Sequence, residues 1–193
     1  MQRTTSFILV LLATSVLCFG QKKQEREFRI DKEELPKEIT PVLTNYLNNV
    51  KRLRFYKELD GERSSYEVKF KKDRLLYSIE FDENGVLEDV EFIIKQKGIP
   101  DKTFEKLTKY LKANHEKYRI KKIQQQYLNT GNPQKTLKDA FQNLILPEIQ
   151  YELIIATKDE EGYGEYEITF DAVGGHLLTR KSVNTKYDHV LFN

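Results

Sequence analysis

Between residues 51 and 94 the chain switches between apolar and polar at almost every step, and this limits what it can fold into. Leu53 and Phe55 alternate with Arg52, Arg54 and Tyr56, and Tyr66, Val68 and Phe70 alternate with Glu67, Lys69 and Lys71. Tyr77, Ile79 and Phe81 then alternate with Ser78 and Glu80, and Val86, Glu88, Val90, Phe92 and Ile94 continue less cleanly. A period of two puts one set of side chains on a buried face and the other in water, as in an antiparallel sheet wet on one side. Asp60-Gly61 and Glu83-Asn84-Gly85 interrupt the runs. Gly and Asn accept the positive φ that hairpin turns require, so the segment reads as four antiparallel strands.

A helix is predicted ahead of them. Ile39, Val42, Leu43, Tyr46, Leu47 and Val50 fall on one helical stripe, with Pro36 and Pro41 at or before its first turn and a start near Thr40. The stripe and the apolar sheet face cover each other. Gly98-Ile99-Pro100-Asp101 then restarts the pattern. Phe104, Leu107, Tyr110 and Leu111 form a second helical stripe with Asp101 as its cap, followed by a strand over Tyr118–Leu128. Tyr151, Leu153 and Ile155, then Tyr166, Ile168 and Phe170, then Leu177 to Val183, complete the set.

Two short matches in the same order suggest duplication. Phe81-Asp82-Glu83-Asn84-Gly85 aligns with Phe170-Asp171-Ala172-Val173-Gly174, and Tyr66-Glu67-Val68 with Tyr151-Glu152-Leu153. The expected fold is therefore α+β: two tandem repeats, residues 36–97 and 98–193, each an N-terminal helix packed on a four-stranded antiparallel sheet. An insertion at 129–147 in the second repeat carries a weak helix around Leu137, Ala140, Phe141 and Leu144.

The N-terminus gives a compartment. Arg3 precedes an apolar run from Phe7 to Phe19, and charged residues resume at Lys22, which is the pattern of a secretory signal over residues 1–20. The run is short for a membrane span, which takes about 20 apolar residues. Residues 21–35 are polar and read as a flexible leader. Cys18 is the one cysteine, and Leu17 before it is bulky for a lipoprotein signal, so a lipid anchor is the minor alternative to a periplasmic or secreted fate. The mature chain then has no thiol or disulfide and is held by its core alone. With 32 Lys and Arg against 30 Asp and Glu and no basic block, no nucleic-acid partner is expected.

The proline-led amphipathic helix, the Tyr66-Glu67-Val68 strand and Ile79-Glu80-Phe81-Asp82 followed by Gly85 resemble PepSY-like domains, grouped with the β-lactamase-inhibitor-protein fold. The resemblance spans roughly residues 36 to 95 and 99 to 183. It implies an exported protein, in a Gram-negative periplasm before the external medium, whose sheets present a partner-binding face. The family has no agreed catalytic residues to carry over.

The residues themselves argue against catalysis. His115, His176 and His189 have no metal-site spacing, and no nucleophile elbow, zinc-protease, P-loop or dinucleotide motif occurs. Asp82-x-Asn84-Gly85 echoes a calcium loop, but Ile93 stands where the twelfth-position Glu belongs, so a hairpin turn with Asp capping backbone amides is the better reading. Pairs such as Glu80 with Asp82 are expected by chance in a chain with 30 Asp and Glu. No catalytic residue, cofactor or metal ligand is assigned. The candidate partner-binding residues are Arg52, Arg54, Tyr56, Glu67 and Lys69 on the polar sheet face, because Tyr and Arg recur at interface hot spots. The rival is an ordinary solvated face. The expected function is a non-catalytic module that binds, and in one form inhibits, another protein of the envelope or secreted space. An envelope structural or stress component acting through the insertion comes second, and a small-ligand carrier or enzyme third.

Overall fold

The computed structural model describes residues 22–23, 25–159 and 162–182. The expected signal segment with Cys18, and His189, lie outside the described residues. A two-residue β1 (Lys22–Lys23) is followed by β2 (Glu25–Ile30), α1 (Ile39–Leu43), β3 (Lys51–Asp60), β4 (Arg63–Lys72), β5 (Leu75–Asp82) and β6 (Leu87–Ile93). Then come α2 (Asp101–Asn114), β7 (Tyr118–Leu128), α3 (Pro133–Phe141), β8 (Gln150–Asp159), β9 (Gly162–Asp171) and β10 (His176–Ser182). No helix among the described residues is long and apolar enough to cross a membrane.

The expectation of two helix-plus-sheet repeats is overturned. Strands β2 to β10 form one antiparallel sheet in which each lies beside its neighbours in sequence. The seam at the expected boundary is an ordinary ladder, Asp89–Ile93 of β6 against Gln124–Leu128 of β7. Two separate four-stranded sheets would leave four edges with unpaired backbone groups, and joining β6 to β7 satisfies two of them. The core is likewise continuous: the Phe92 and Tyr127 rings meet across the seam at 5.8 Å, and one cluster runs from Ile39 to Phe170.

The three helices lie on the apolar face of this sheet. Ile39 and Leu43 of α1, Leu107 and Leu111 of α2, and Leu137 and Ala140 of α3 are buried against Val68, Phe70, Ile79, Phe81, Leu153 and Ile168. Helix α1 is shorter than its stripe, ending at Leu43, while Tyr46, Leu47 and Val50 pack on the core from the following turns. Pro41 and the Thr and Asn residues after it are weak helix formers, so packing rather than propensity holds this stretch. Helix α3 begins with Pro133 at N1 and an Asn132 side chain that accepts from the Lys135 amide at 3.0 Å. Phe141 at its end stacks on Tyr77 at 4.7 Å, which ties the expected insertion into the core.

Two hairpin turns dock beneath helices. Gly85 sits at φ +80 against Pro36, Glu38 and Ile39, and Gly174 at φ +86 against the first turns of α2. Asp82 Oδ1 accepts from the amides of Asn84 and Val86 at 2.9 and 2.8 Å, and Asp171 Oδ1 from those of Val173 and Gly175 at 3.0 and 2.7 Å. Both Asp residues cap their turns, as their spacing predicts.

Within the segment expected as a flexible leader, residues 25–30 pair with β3 from Glu25 opposite Asp60 to Ile30 opposite Phe55. Lys22 and Lys23 pair in parallel with Lys181 and Ser182 of β10, at the other end of the sheet. One short N-terminal segment therefore meets both ends of the ladder, and the sheet is drawn round on itself with its polar face inward.

Candidate functional site

The helices leave that polar face uncovered, and the inward curl turns it into a cleft. Successive side chains of a strand point to opposite faces, so burying Val68 and Phe70 under the helices sends Glu67 and Lys69 into the cleft. The cleft has a volume of about 1580 Å³ and takes lining residues from every strand between β2 and β10. Carboxylates outnumber Lys and Arg along it. Glu58, Glu67, Asp89, Glu91, Glu152 and Glu167 are buried although no helix lies over them, because the facing parts of the curled sheet exclude water from one another.

The acids are managed in three ways. At the β2–β4 end, Lys69 Nζ lies 2.6 Å from both Glu27 Oε1 and Glu67 Oε2; the second contact is an ion pair whose angle is not that of a hydrogen bond. Burial pushes the Glu67 carboxyl up, but the Lys69 charge and the hydrogen bond from Ser78 outweigh it and hold the group below its usual range. Burial likewise opposes the charge on Lys69, yet Glu67 and Glu27 raise its pKa well above the ordinary lysine value. At the far end Arg180 pairs with Glu167, and Lys121 with Glu165.

The middle is different. Glu80 on β5 and Asp89 and Glu91 on β6 bring carboxylate oxygens within 4.8 Å of one another. Gln124 and Gln126 of β7 reach across from the next strand: Gln124 Nε2 donates to Glu91 Oε2, and Gln126 Nε2 donates to Asp89 Oδ2 at 3.1 Å. Burial, partly opposed by Gln126 and reinforced by Glu152, Glu88 and Glu67, pushes the Asp89 carboxyl up to about 7.

Comparisons with protein-family models and with curated proteins give no match. Among solved structures, a DUF2874 family protein from Bacteroides ovatus is similar over 81% of this chain and 94% of that one, at 8% identity and a TM-score of 0.54. Another from Bacteroides uniformis is similar over 76% and 89%, at 9% identity and a TM-score of 0.53. A BLIP-like protein from Bacteroides fragilis aligns over 80% and 92% at 13% identity, with a TM-score of 0.49 that is too loose to carry an argument. The chain shares a fold with the DUF2874 proteins. At these identities the likeness is one of fold alone. The PepSY resemblance and the tandem duplication gain nothing from it.

Four of the five candidate residues, Arg54, Tyr56, Glu67 and Lys69, line the cleft. Arg54 stands opposite Lys69 and Tyr56 opposite Glu67 on neighbouring strands, and Lys69 Nζ lies 5.0 Å from the Tyr56 ring centre. Glu67 is buried and accepts from Ser78, while Arg54 and Tyr56 are half-buried. Arg52 is exposed at φ +58, in the irregular register between Lys51 and Arg54, and is not part of the lining. His115 ends α2, and the His176 ring stacks on Tyr110 at 4.4 Å. Sequence reasoning missed Asp89, Glu91, Gln124 and Gln126. Counting alternate positions away from Val90 and Tyr127 places all four on the polar face.

Proposed function

We propose that the chain is an exported, non-catalytic module that binds another protein in the cleft on the polar face of its sheet. The observation that supports this best is the cleft itself: a broad face, curved inward, that the helices leave uncovered. Arg54 and Tyr56 stand there partly accessible, and Ile93 and Leu128 add exposed apolar surface among the lining residues. Aromatic and Arg side chains together with some apolar surface, in a polar surround, match the composition of an interface centre. The export reading rests on the signal-like residues 1–20.

A photo-crosslinking amino acid at position 56, in cells that make the protein, tests this. The expected result is one discrete protein adduct, lost on Arg54→Glu and absent when the probe stands at Lys138 on the exposed side of α3. Adducts at Lys138 alone, or an adduct at 56 indifferent to Arg54→Glu, refute the assignment. A second reading, a carrier of small polar ligands, draws on the cleft volume, which exceeds the roughly 300–1,000 Å³ of common ligand sites. Native mass spectrometry of the freshly purified chain separates the two: a carrier shows a retained small molecule.

A further inference from the structure

We propose that Glu80, Asp89 and Glu91, together with the side-chain oxygen of Gln124, form a binding site for a hard divalent cation, with calcium the best fit. The site spans three adjacent strands. Asp89 and Glu91 are two residues apart on β6 and so share a face, Glu80 stands opposite Asp89 on β5, and Gln124 enters from β7. Their carboxylate oxygens lie within 4.8 Å of one another.

Crowded acids alone do not make a site, since surface carboxylates often gather without a ligand. Two atoms set this group apart. Among the described residues Asp89 Oδ1 and Gln124 Oε1 have no hydrogen-bond partner, and their residues are only 6% and 7% exposed. A buried, unsatisfied oxygen is costly, and fewer than one in ten such groups is left so. Here both belong to one neighbourhood: Asp89 is a member of the acidic group, and the Gln124 amide is tied to Glu91 of the same group through its Nε2. A cation bound among them satisfies both and offsets the mutual repulsion of the acids.

The other acidic group, Glu27, Glu58 and Glu67, makes the contrast. Lys69 already stands within it, at 2.6 Å from two of its members. The ligand chemistry selects the ion. Every donor is oxygen, with carboxylates and a neutral carbonyl mixed, and neither histidine nor sulfur takes part. That set suits calcium, magnesium or manganese rather than zinc or copper. Donors drawn from three strands form an irregular shell, which calcium tolerates and magnesium, with its strict octahedron, does not.

The site stands whether or not a protein docks in the cleft, and its test needs no partner. The purified full chain, stripped with a chelator, is titrated with calcium, magnesium and zinc chlorides by calorimetry at about pH 7.5. The expected result is one calcium per chain with Kd between about 10⁻⁵ and 10⁻³ M, and weaker magnesium and zinc. Calcium also raises the melting temperature, because it binds the folded chain alone. Asp89→Asn and Glu91→Gln, each folded by circular dichroism, weaken calcium about tenfold or more, whereas Glu27→Gln changes it by less than about threefold. The proposal is overturned by no saturable calcium heat up to about 10 mM, by zinc binding more tightly than calcium, or by calcium affinity indifferent to both Asp89→Asn and Glu91→Gln.

Discussion

Replacing Lys69 by Met leaves the aliphatic stem and removes the ammonium that neutralises Glu27 and Glu67. Each of these carboxylates lies 2.6 Å from the ammonium. At an effective dielectric of about 20, such a contact is worth about 6 kcal/mol before desolvation is subtracted. Removing one partner of a buried pair typically costs about 3–5 kcal/mol, because the remaining charge stays buried. The side chains of Lys69 and Glu27 are 22% and 26% exposed, which lets water relieve part of the loss, so the low end, about 3 kcal/mol, applies. For a chain of this size that lowers Tm by about 6–12 °C.

The pH dependence follows from the directions of the shifts. Glu67 is held below its unfolded value of 4.5, so its contribution is full above that value and is lost as pH falls through the depressed folded value. Lys69 is raised above its unfolded value of 10.5, so its contribution is full below that value and is lost only as pH climbs through the raised one. The gap between wild type and Lys69→Met is therefore widest between pH 4.5 and 10.5, and narrows in acid. Urea denaturation at about pH 7 and about pH 3 measures it. Glu67→Gln made in the Lys69→Met background recovers about 2 kcal/mol by removing the stranded charge. A gap below about 0.5 kcal/mol at neutral pH, or one unchanged in acid, refutes the account.

Asp89 carries the opposite sign. Its folded value near 7 lies above the unfolded 3.8, so the folded state holds the extra proton and stability falls as pH rises between the two. Asp89→Asn flattens that slope and stabilises the metal-stripped chain above pH 7 by about 4 kcal/mol at the ceiling, which chemical denaturation across the window checks. Gly174→Ala is expected to cost about 2–4 kcal/mol, since the residue sits at φ +86 and its new Cβ meets the Thr103 carbonyl oxygen at 2.9 Å. Gly61→Ala, at φ +63 with nothing within 4 Å, costs about 1 kcal/mol in the same urea assay. Tyr151→Phe raises stability by about 1 kcal/mol, because the buried Tyr151 hydroxyl has no hydrogen-bond partner among the described residues and its removal ends a desolvation cost.

Local structure was largely legible in the sequence, and assembly was not. The alternations around Val68 and Ile79 mark β4 and β5 correctly, and Asp82 and Asp171 cap their turns as their spacing suggests, because these features depend on neighbours in the chain. The joining of β6 to β7 depends on which edges find each other, and no local pattern encodes it. Strand β2 was hidden for a related reason. Glu25-Arg26-Glu27-Phe28-Arg29-Ile30 is mostly charged, as edge strands often are, and reads as leader. For the site, parity put Glu67 and Lys69 on the polar face, but the word polar misled. That face is curled inward, so its acids are buried, and only the sheet's curvature turns a solvated surface into a cleft with costly charges.

The short N-terminal segment that touches β3 on one side and β10 on the other also orders events in time. Residues 22–23 are made among the first of the described chain, yet their partners, Lys181 and Ser182, are made among the last. Closing the ring must wait for nearly complete synthesis, and such sequence-distant pairing is slow. Until then both terminal strands present open backbone to any neighbouring chain, so the waiting period is when self-association threatens most.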